Sequence, residues 1–247
     1  MAWAAVTGSS SGIGAAAARK LAADGWDVVL HYRRSKGPAE ALEAEIRATG
    51  RQTYLYAADF MDPEAGPGLV DLVWNSTGGV SLWVHNAGAD LLTGPEAKWD
   101  LGRKYDVLQR VDLWGTIATC RAAGARMKAA GDGVIVTIGW DQTETGMEGD
   151  SGELFAAIKG GVAAFTKSLA KSLAPQVRVH NVAPGWIQTA WGAKASDVWQ
   201  QRVLRETPLG RWGTPEDVAA AIAFLASPAA RMMTGQRLRI NGGVVMG

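Results

Sequence analysis

The stretch Val6–Ala22, VTGSSSGIGAAAARKLA, decides how the rest of the chain is read. It follows a short apolar run, Trp3–Thr7, and opens an alanine-rich segment with helical character. Between the two lie Gly8, Gly12 and Gly14. Glycine lets the backbone turn tightly and lets a ligand approach it closely. A helix N-terminus behind such a turn offers free N–H groups and the positive end of the helix dipole to an anion. Glycine turns without ligands are common on surfaces, and it is the order strand, turn, helix that raises this one above them.

Outward from that stretch, short apolar runs alternate with amphipathic segments. The candidate strands are Trp3–Thr7, Asp27–Tyr32, Thr53–Ala57, Ser81–His85, Val134–Ile138, Val177–Val182 and Leu238–Ile240. Helical spacing runs through Ala15–Ala23, Ala39–Ala48, Trp99–Lys128 and Leu154–Leu173. Continuous apolar strands alternating with helices indicate a parallel sheet covered on both faces. No linker, repeat or low-complexity tract divides the chain, so the expectation is one doubly wound α/β domain over residues 1–247, with about seven strands. In such sheets ligands bind at the carboxyl ends of the strands, near the point where strand order reverses.

Bulk composition narrows the partners. The chain has 247 residues, a formal net charge of +1 and 47% hydrophobic residues. That is ample for a buried core. No basic tract marks a nucleic-acid surface, and no apolar run reaches membrane-spanning length. The single Cys120 excludes an internal disulfide and suits a reducing compartment. The first residues lack the basic start of a signal peptide. The expectation is a soluble cytoplasmic protein acting on a small molecule, with no metal, no nucleic-acid partner and no membrane. Eleven tryptophans are many for this length, and they suit either core packing or an aromatic-lined pocket.

The glycine spacing T-G-x-x-x-G-x-G resembles that of the short-chain dehydrogenase/reductase family. The resemblance continues along the chain through HNAG (His85–Gly88), VTIGW (Val136–Trp140), FAAIK (Phe155–Lys159), VAPGWIQT (Val182–Thr189), GRWGTPEDVA (Gly210–Ala219) and TGQRLRINGG (Thr234–Gly243). It implies a Rossmann-like fold and a nicotinamide cofactor held by Gly8, Ser10, Ser11, Gly12, Ile13 and Gly14. It further implies that Asp59 and Phe60 flank the adenine, that Asn86, Ala87 and Gly88 back the cofactor, and that Pro184, Gly185, Ile187 and Thr189 lie near the nicotinamide. A substrate loop is expected near 186–207, and a homo-oligomer, tetramer or dimer, is implied as well. The second strand ends in Tyr32, Arg33 and Arg34 where an acidic residue would bind a ribose 2′-hydroxyl. Guanidinium groups pair well with phosphate. A solvated basic turn is the plain alternative, but with Ser10 and Ser11 the pattern resembles members that prefer NADP(H).

The family's catalytic set is Asn, Ser, Tyr and Lys, and this chain keeps one of them. Asp112 stands for Asn, Trp140 for Ser and Phe155 for Tyr, while Lys159 remains. A slip in alignment would bring Gln142 or Thr143 to the Ser place. Lys159 is expected to hold the nicotinamide ribose. A phenyl ring cannot donate a proton, so reduction of a ketone would leave an alkoxide without its acid.

The segment Trp140–Glu153 carries Asp141, Glu144, Glu148, Asp150 and Glu153 and no Lys or Arg. The resemblance implies that Trp140, Trp186 and Trp191 fall in segments that edge the substrate pocket, and carboxylates with indole faces suit a cation. A solvated acidic loop with core tryptophans explains the same residues. The leading expectation is hydride transfer to an iminium (C=N) or similarly activated acceptor, favoured in the reductase direction. Ordinary carbonyl or alcohol chemistry with Asp112 or Asp141 as the acid is an alternative. So is a silent NADP(H)-binding sensor or assembly subunit.

Overall fold

Alternate residues along the strands divide between two cores, as the two-residue period of a strand requires. The computed structural model describes residues 2–92, 94–189, 192 and 195–246. Its strands are β1 (Trp3–Val6), β2 (Asp27–Tyr32), β3 (Thr53–Ala57), β4 (Leu82–His85), β5 (Gly133–Ile138), β6 (Val177–Pro184) and β7 (Arg237–Ile240). Ala4, Val6, Val28, Leu30, Val84 and Val136 pack into one core. Ala5, Val29, Trp83 and Ile135 face the other.

The seven strands form one parallel sheet in the order β3-β2-β1-β4-β5-β6-β7. The helices are α1 (Gly12–Ala23), α2 (Lys36–Ala48), α3 (Ala65–Thr77), α4 (Leu101–Val107), α5 (Gly115–Ala130), α6 (Asp150–Leu173), α7 (Asp197–Glu206) and α8 (Pro215–Ala226). Leu21 of α1 with Ile222 and Leu225 of α8 fill the first core. Val73 of α3, Cys120 and Met127 of α5 and Leu169 of α6 fill the second. This is the Rossmann-like architecture expected from the sequence. Strand order reverses between β1 and β4, so a crevice opens above their carboxyl ends, where Gly8 and Asn86 lie.

One predicted helical run, Trp99–Lys128, is broken. Between α4 and α5 the residues Leu108–Trp114 form a π-helical turn. Such turns carry one extra residue and re-aim the side chains within them. Asp112 is one of those side chains, and the Thr116 hydroxyl donates to its carbonyl.

Candidate active site

The glycine turn is built by backbone constraints. Gly8 and Gly12 have φ values of +63° and +53°, a region that favours glycine. A Cβ on Gly14 would lie 2.2 Å from the Gly8 carbonyl oxygen, so α1 can start this close only with glycine there. At Gly12 a Cβ would meet only Thr189 Cγ2, at 3.6 Å, so the space above the turn is open. The Asn86 amide ties the turn to β4, donating to the carbonyls of Thr7 (3.1 Å) and Gly8 (3.0 Å). The Thr7 hydroxyl accepts from the N–H groups of Asn86 (2.9 Å) and Ala87 (3.0 Å).

His31, at the end of β2, was not expected from the sequence to take part. Its Nδ1 accepts the Gly8 N–H at 3.0 Å, and its Nε2 lies 3.1 Å from the Ala58 carbonyl. That pairing places the proton on Nε2. Burial pushes its pKa down to about 4, so the ring is neutral near pH 7. A histidine inside an apolar strand carries no signal that sets it apart from a core residue.

Ser10, Ser11, Arg33, Arg34, Asp59 and Phe60 line a cavity of about 310 Å³ together with Gly8 and Asn86–Gly88. Arg33 and Arg34 are exposed and have no ion-pair partner among the described residues. Tyr32 and Phe60, two of the residues expected around the cofactor, stand differently at this cavity. Tyr32 is not among the residues lining this cavity. The Phe60 ring is buried and engaged between His31 (centroids 5.0 Å) and His85 (5.3 Å), so it supports the floor from below. Asp59 accepts the Met61 N–H at 3.0 Å.

A second cavity, of about 360 Å³, shares Asn86 and Gly88 with the first. Ile13, Pro184, Gly185, Ile187 and Thr189 line it. Here α6 presents Phe155 and Lys159 one turn apart, as the helical period dictates. Lys159 Nζ sits 2.9 Å from Asp112 Oδ1 and donates to the Ile138 carbonyl at 3.3 Å. It lies 5.4 Å from the Phe155 ring centroid. Both residues of the ion pair are buried, Asp112 at 1% exposure and Lys159 at 6%. Asp112 Oδ2 accepts the Ala89 N–H at 2.9 Å. Both oxygens of Asp112 are therefore engaged, and its place is that of an anchor for Lys159.

Trp140 follows β5 and meets Phe155 edge-on, with centroids 5.2 Å apart at 69°. Trp140 lines this cavity, whereas Gln142 borders a different one and the Thr143 hydroxyl donates to the Trp140 carbonyl. Neither supplies a hydroxyl in place of the serine. Trp186, Trp199, Trp212 and Met147 complete the apolar wall. Trp186 packs at 5.5 Å from Trp199, on α7, and 6.4 Å from Trp212, just before α8. Trp199, Trp212 and Met147 were not singled out from the sequence. Trp191 lies outside the described residues.

The acidic loop is not an acidic wall. Glu144 is exposed and pairs with Arg237 (2.5 Å) and Arg239 (2.6 Å), which hold its carboxyl below the usual range. Glu148 lies 3.8 Å from Arg202, and Asp150 pairs with the buried Lys104 at 2.9 Å. Asp141 does not line the cleft, because it is fully buried behind Gly185, where a Cβ would lie 2.9 Å from its Oδ2. That oxygen accepts from Asn241 Nδ2 at 3.2 Å. The reason for the difference from expectation is the same in each case. Basic side chains distant in sequence draw these carboxylates away from the cleft, or the fold encloses them.

Burial raises the Asp141 pKa to about 6. A raised carboxyl pKa means that burial favours the neutral acid. The stability it leaves is present below the unfolded value, near 4, and is lost as pH rises through about 6. Asp141→Asn is therefore expected to stabilise the protein by roughly 1–3 kcal/mol at pH 8, with the gain vanishing towards pH 4. Denaturant unfolding at the two pH values measures it, and a loss of stability at pH 8 would contradict the assignment.

Among the described residues, no group of three or more His, Cys, Asp or Glu could hold a metal ion. No helix among them is long and apolar enough to cross a membrane.

A family model described as Enoyl-(Acyl carrier protein) reductase matches residues 8–245. The 3-oxoacyl-(acyl-carrier-protein) reductase FabG of Staphylococcus aureus is 34% identical over 247 residues, 98% of this chain and 97% of that protein. The 3-oxoacyl-(acyl-carrier-protein) reductase of Synechocystis sp. is 36% identical over 249 residues, covering 98% and 96%. Among solved structures, a blue fluorescent protein from a metagenomic library, in complex with NADPH, has a TM-score of 0.89 at 32% identity, covering 99% of this chain and 98% of its own. A chain from Sinorhizobium meliloti described as a short-chain alcohol dehydrogenase also gives 0.89 at 32% identity, covering 98% and 96%. The chain belongs to the short-chain dehydrogenase/reductase family of NAD(P)-dependent oxidoreductases.

Proposed function

We propose that the protein is an NADP(H)-dependent reductase that delivers hydride to an acceptor needing no protein proton, with an iminium carbon as the best fit. The residues fit the cofactor. The open space above Gly12 receives the pyrophosphate at the N-terminus of α1. Arg33 and Arg34, exposed at the cavity edge, pair with a 2′-phosphate. Lys159, held by Asp112, reaches the nicotinamide ribose. Bound in this way, the nicotinamide supplies the hydride. A NADPH complex of a structural neighbour at 32% identity supports the same cofactor.

One observation carries the acceptor. Trp140 and Phe155 meet edge-on at 5.2 Å where the family places its serine and tyrosine. Neither can protonate an oxyanion, and a positioned acid is commonly worth a hundredfold or more. An acceptor that starts as a cation and ends as a neutral amine creates no oxyanion. The indole and phenyl faces of the cleft suit such a cation. The acidic loop does not add to this case, because its carboxylates turn away. A carbonyl reaction with a carboxylic acid as donor finds less support. Asp141 has the raised pKa such a role needs but lies behind Gly185. Binding of cofactor without turnover, as a sensor or assembly subunit, is the second reading, favoured by the loss of the same two hydroxyls. We also expect a homo-oligomer, dimer or tetramer, which would cover exposed apolar residues such as Phe224.

The test compares a cyclic iminium with its isosteric ketone under steady-state NADPH oxidation. The expected kcat/KM ratio is at least about 100 in favour of the iminium. Equal efficiency, or preference for the ketone, would overturn the acceptor, and no turnover of any acceptor would favour the silent reading.

A further inference from the structure

We propose that Arg237, outside both cavities, is the positioning residue that fixes Trp140 and thereby sets the size of acceptor the cleft admits. The inference rests on the reading that the acceptor occupies the cleft beside Trp140.

Arg237 is the first residue of β7, the strand at the sheet edge, and it pairs in register with Asn181 of β6. Its guanidinium reaches across to the loop after β5. One terminal nitrogen, Nη2, donates to the Trp140 carbonyl and the Thr143 hydroxyl, and at 3.4 Å to the Asp141 carbonyl. The other, Nη1, lies 2.5 Å from Glu144 Oε1. Arg239 holds the second oxygen of Glu144 at 2.6 Å. The Arg237 side chain is only 11% exposed, so an enclosed charge is directed onto this loop.

Besides Arg237 the loop is held by the Gly139 N–H to the Val182 carbonyl, 2.7 Å, by the Asn241 amide to Asp141, 3.2 Å, and by the edge contact of Trp140 with Phe155. Gly139 precedes Trp140, and Gly146 and Gly149 follow at positive φ, +77° and +89°. Glycine is the residue with the most conformational freedom to lose. The loop's own ties include the Thr143 hydroxyl to the Trp140 carbonyl, 3.2 Å, and the Gly146 N–H to the Gln142 carbonyl, 2.8 Å. Fixing the Trp140 carbonyl fixes where its Cα–Cβ bond points, and so where the indole meets Phe155. Arg237 lines neither the substrate cleft nor the cofactor cavity. Its loss should therefore move acceptor binding and leave the cofactor in place. Glu144, the most conspicuous carboxylate of the acidic loop, acts in this account as the counter-ion that aims Arg237.

The test is Arg237→Met, which keeps an unbranched stem and removes the guanidinium donors. Amide hydrogen exchange read over residues 139–146 is expected to quicken about tenfold or more, with the glycine turn and α6 unchanged. NADPH affinity is expected to stay within about twofold, while KM for a small cyclic iminium rises about tenfold with kcat less affected. The kcat/KM ratio of an aryl-substituted iminium to the small one should rise about tenfold. Trp140→Ala should produce the same shift, and the double variant no more than either alone. Arg237→Lys should restore part of it. Unchanged exchange in the loop, or an unchanged size ratio, would overturn the proposal. If the enzyme turns over no acceptor, exchange alone decides, so failure of the acceptor reading is seen separately. If Arg237→Met does not fold, Glu144→Gln keeps the arginine and should quicken exchange of the loop by a smaller factor. No change there would also refute the clamp.

Discussion

Lys159→Met is expected to cost about 3–5 kcal/mol of stability, because it leaves Asp112 as an uncompensated charge in the interior. Asp112 is 1% exposed, and Lys159 Nζ is its partner at 2.9 Å. Its second oxygen keeps only the Ala89 N–H. The same substitution should weaken NADPH binding, since no other lysine lines the cleft among the described residues. The two effects can be separated. Lys159→Met with Asp112→Leu removes both charges and should recover most of the stability, because replacing a whole buried pair by apolar groups is often neutral. It should not recover cofactor affinity. Denaturant unfolding and NADPH titration of the single and double variants form the cycle. A double variant as unstable as Lys159→Met would show that the pair is not the source of the loss.

Gly12→Val should leave the fold largely intact and weaken NADPH binding at least about 100-fold, close to 3 kcal/mol. The backbone at Gly12 has φ +53°, so a valine there costs of order 1–3 kcal/mol in strain. Its Cβ has room, with Thr189 Cγ2 the nearest contact at 3.6 Å. The side chain then fills the space that a pyrophosphate must enter. Gly14→Ala should behave in the opposite way. Its Cβ would stand 2.2 Å from the Gly8 carbonyl oxygen, so the turn itself must break and stability falls with affinity. Titrations with NADPH and NADH, read beside thermal unfolding, distinguish the two. NADH should bind the unaltered protein more weakly, because only NADPH offers a phosphate to Arg33 and Arg34. Unchanged NADPH affinity in Gly12→Val would make the turn merely structural.

Much of the sheet was legible from the sequence because its strands are nearly continuous apolar runs ended by glycine or polar residues. Asp27–Tyr32 and Thr53–Ala57 coincide with β2 and β3, and the others differ at their ends by a residue or two. Three helices were not read. The first turn of α3 carries two glycines and a proline, which hide it. α7 has mostly polar residues, with Val203 its one buried residue. α8 was readable in physical terms, since Thr214 and Asp217 form a reciprocal capping box with Pro215 at the first helical position. The π-helical turn at Asp112 has no sequence signature, although it places the partner of Lys159.

The site divides in the same way. The glycine turn was legible because glycine spacing encodes backbone geometry locally. The direction of the loop carboxylates was not, because it depends on distant partners, Arg237 and Arg239 for Glu144, Arg202 for Glu148 and Lys104 for Asp150. The aromatic wall was legible only in part, since Trp199 and Trp212 are brought to Trp186 by tertiary packing.

In the proposed reaction hydride is delivered without a proton from the protein. Isotope effects on kcat/KM with a secondary cyclic imine, measured below the pKa of its iminium form, test it most directly. Deuterium at the transferring position of NADPH should slow the reaction by about twofold or more if hydride transfer limits the rate. Deuterated solvent should leave it unchanged, because no proton moves in that step. A solvent effect comparable to the hydride effect, observed together with it, would place a proton donor in the cleft and contradict the account.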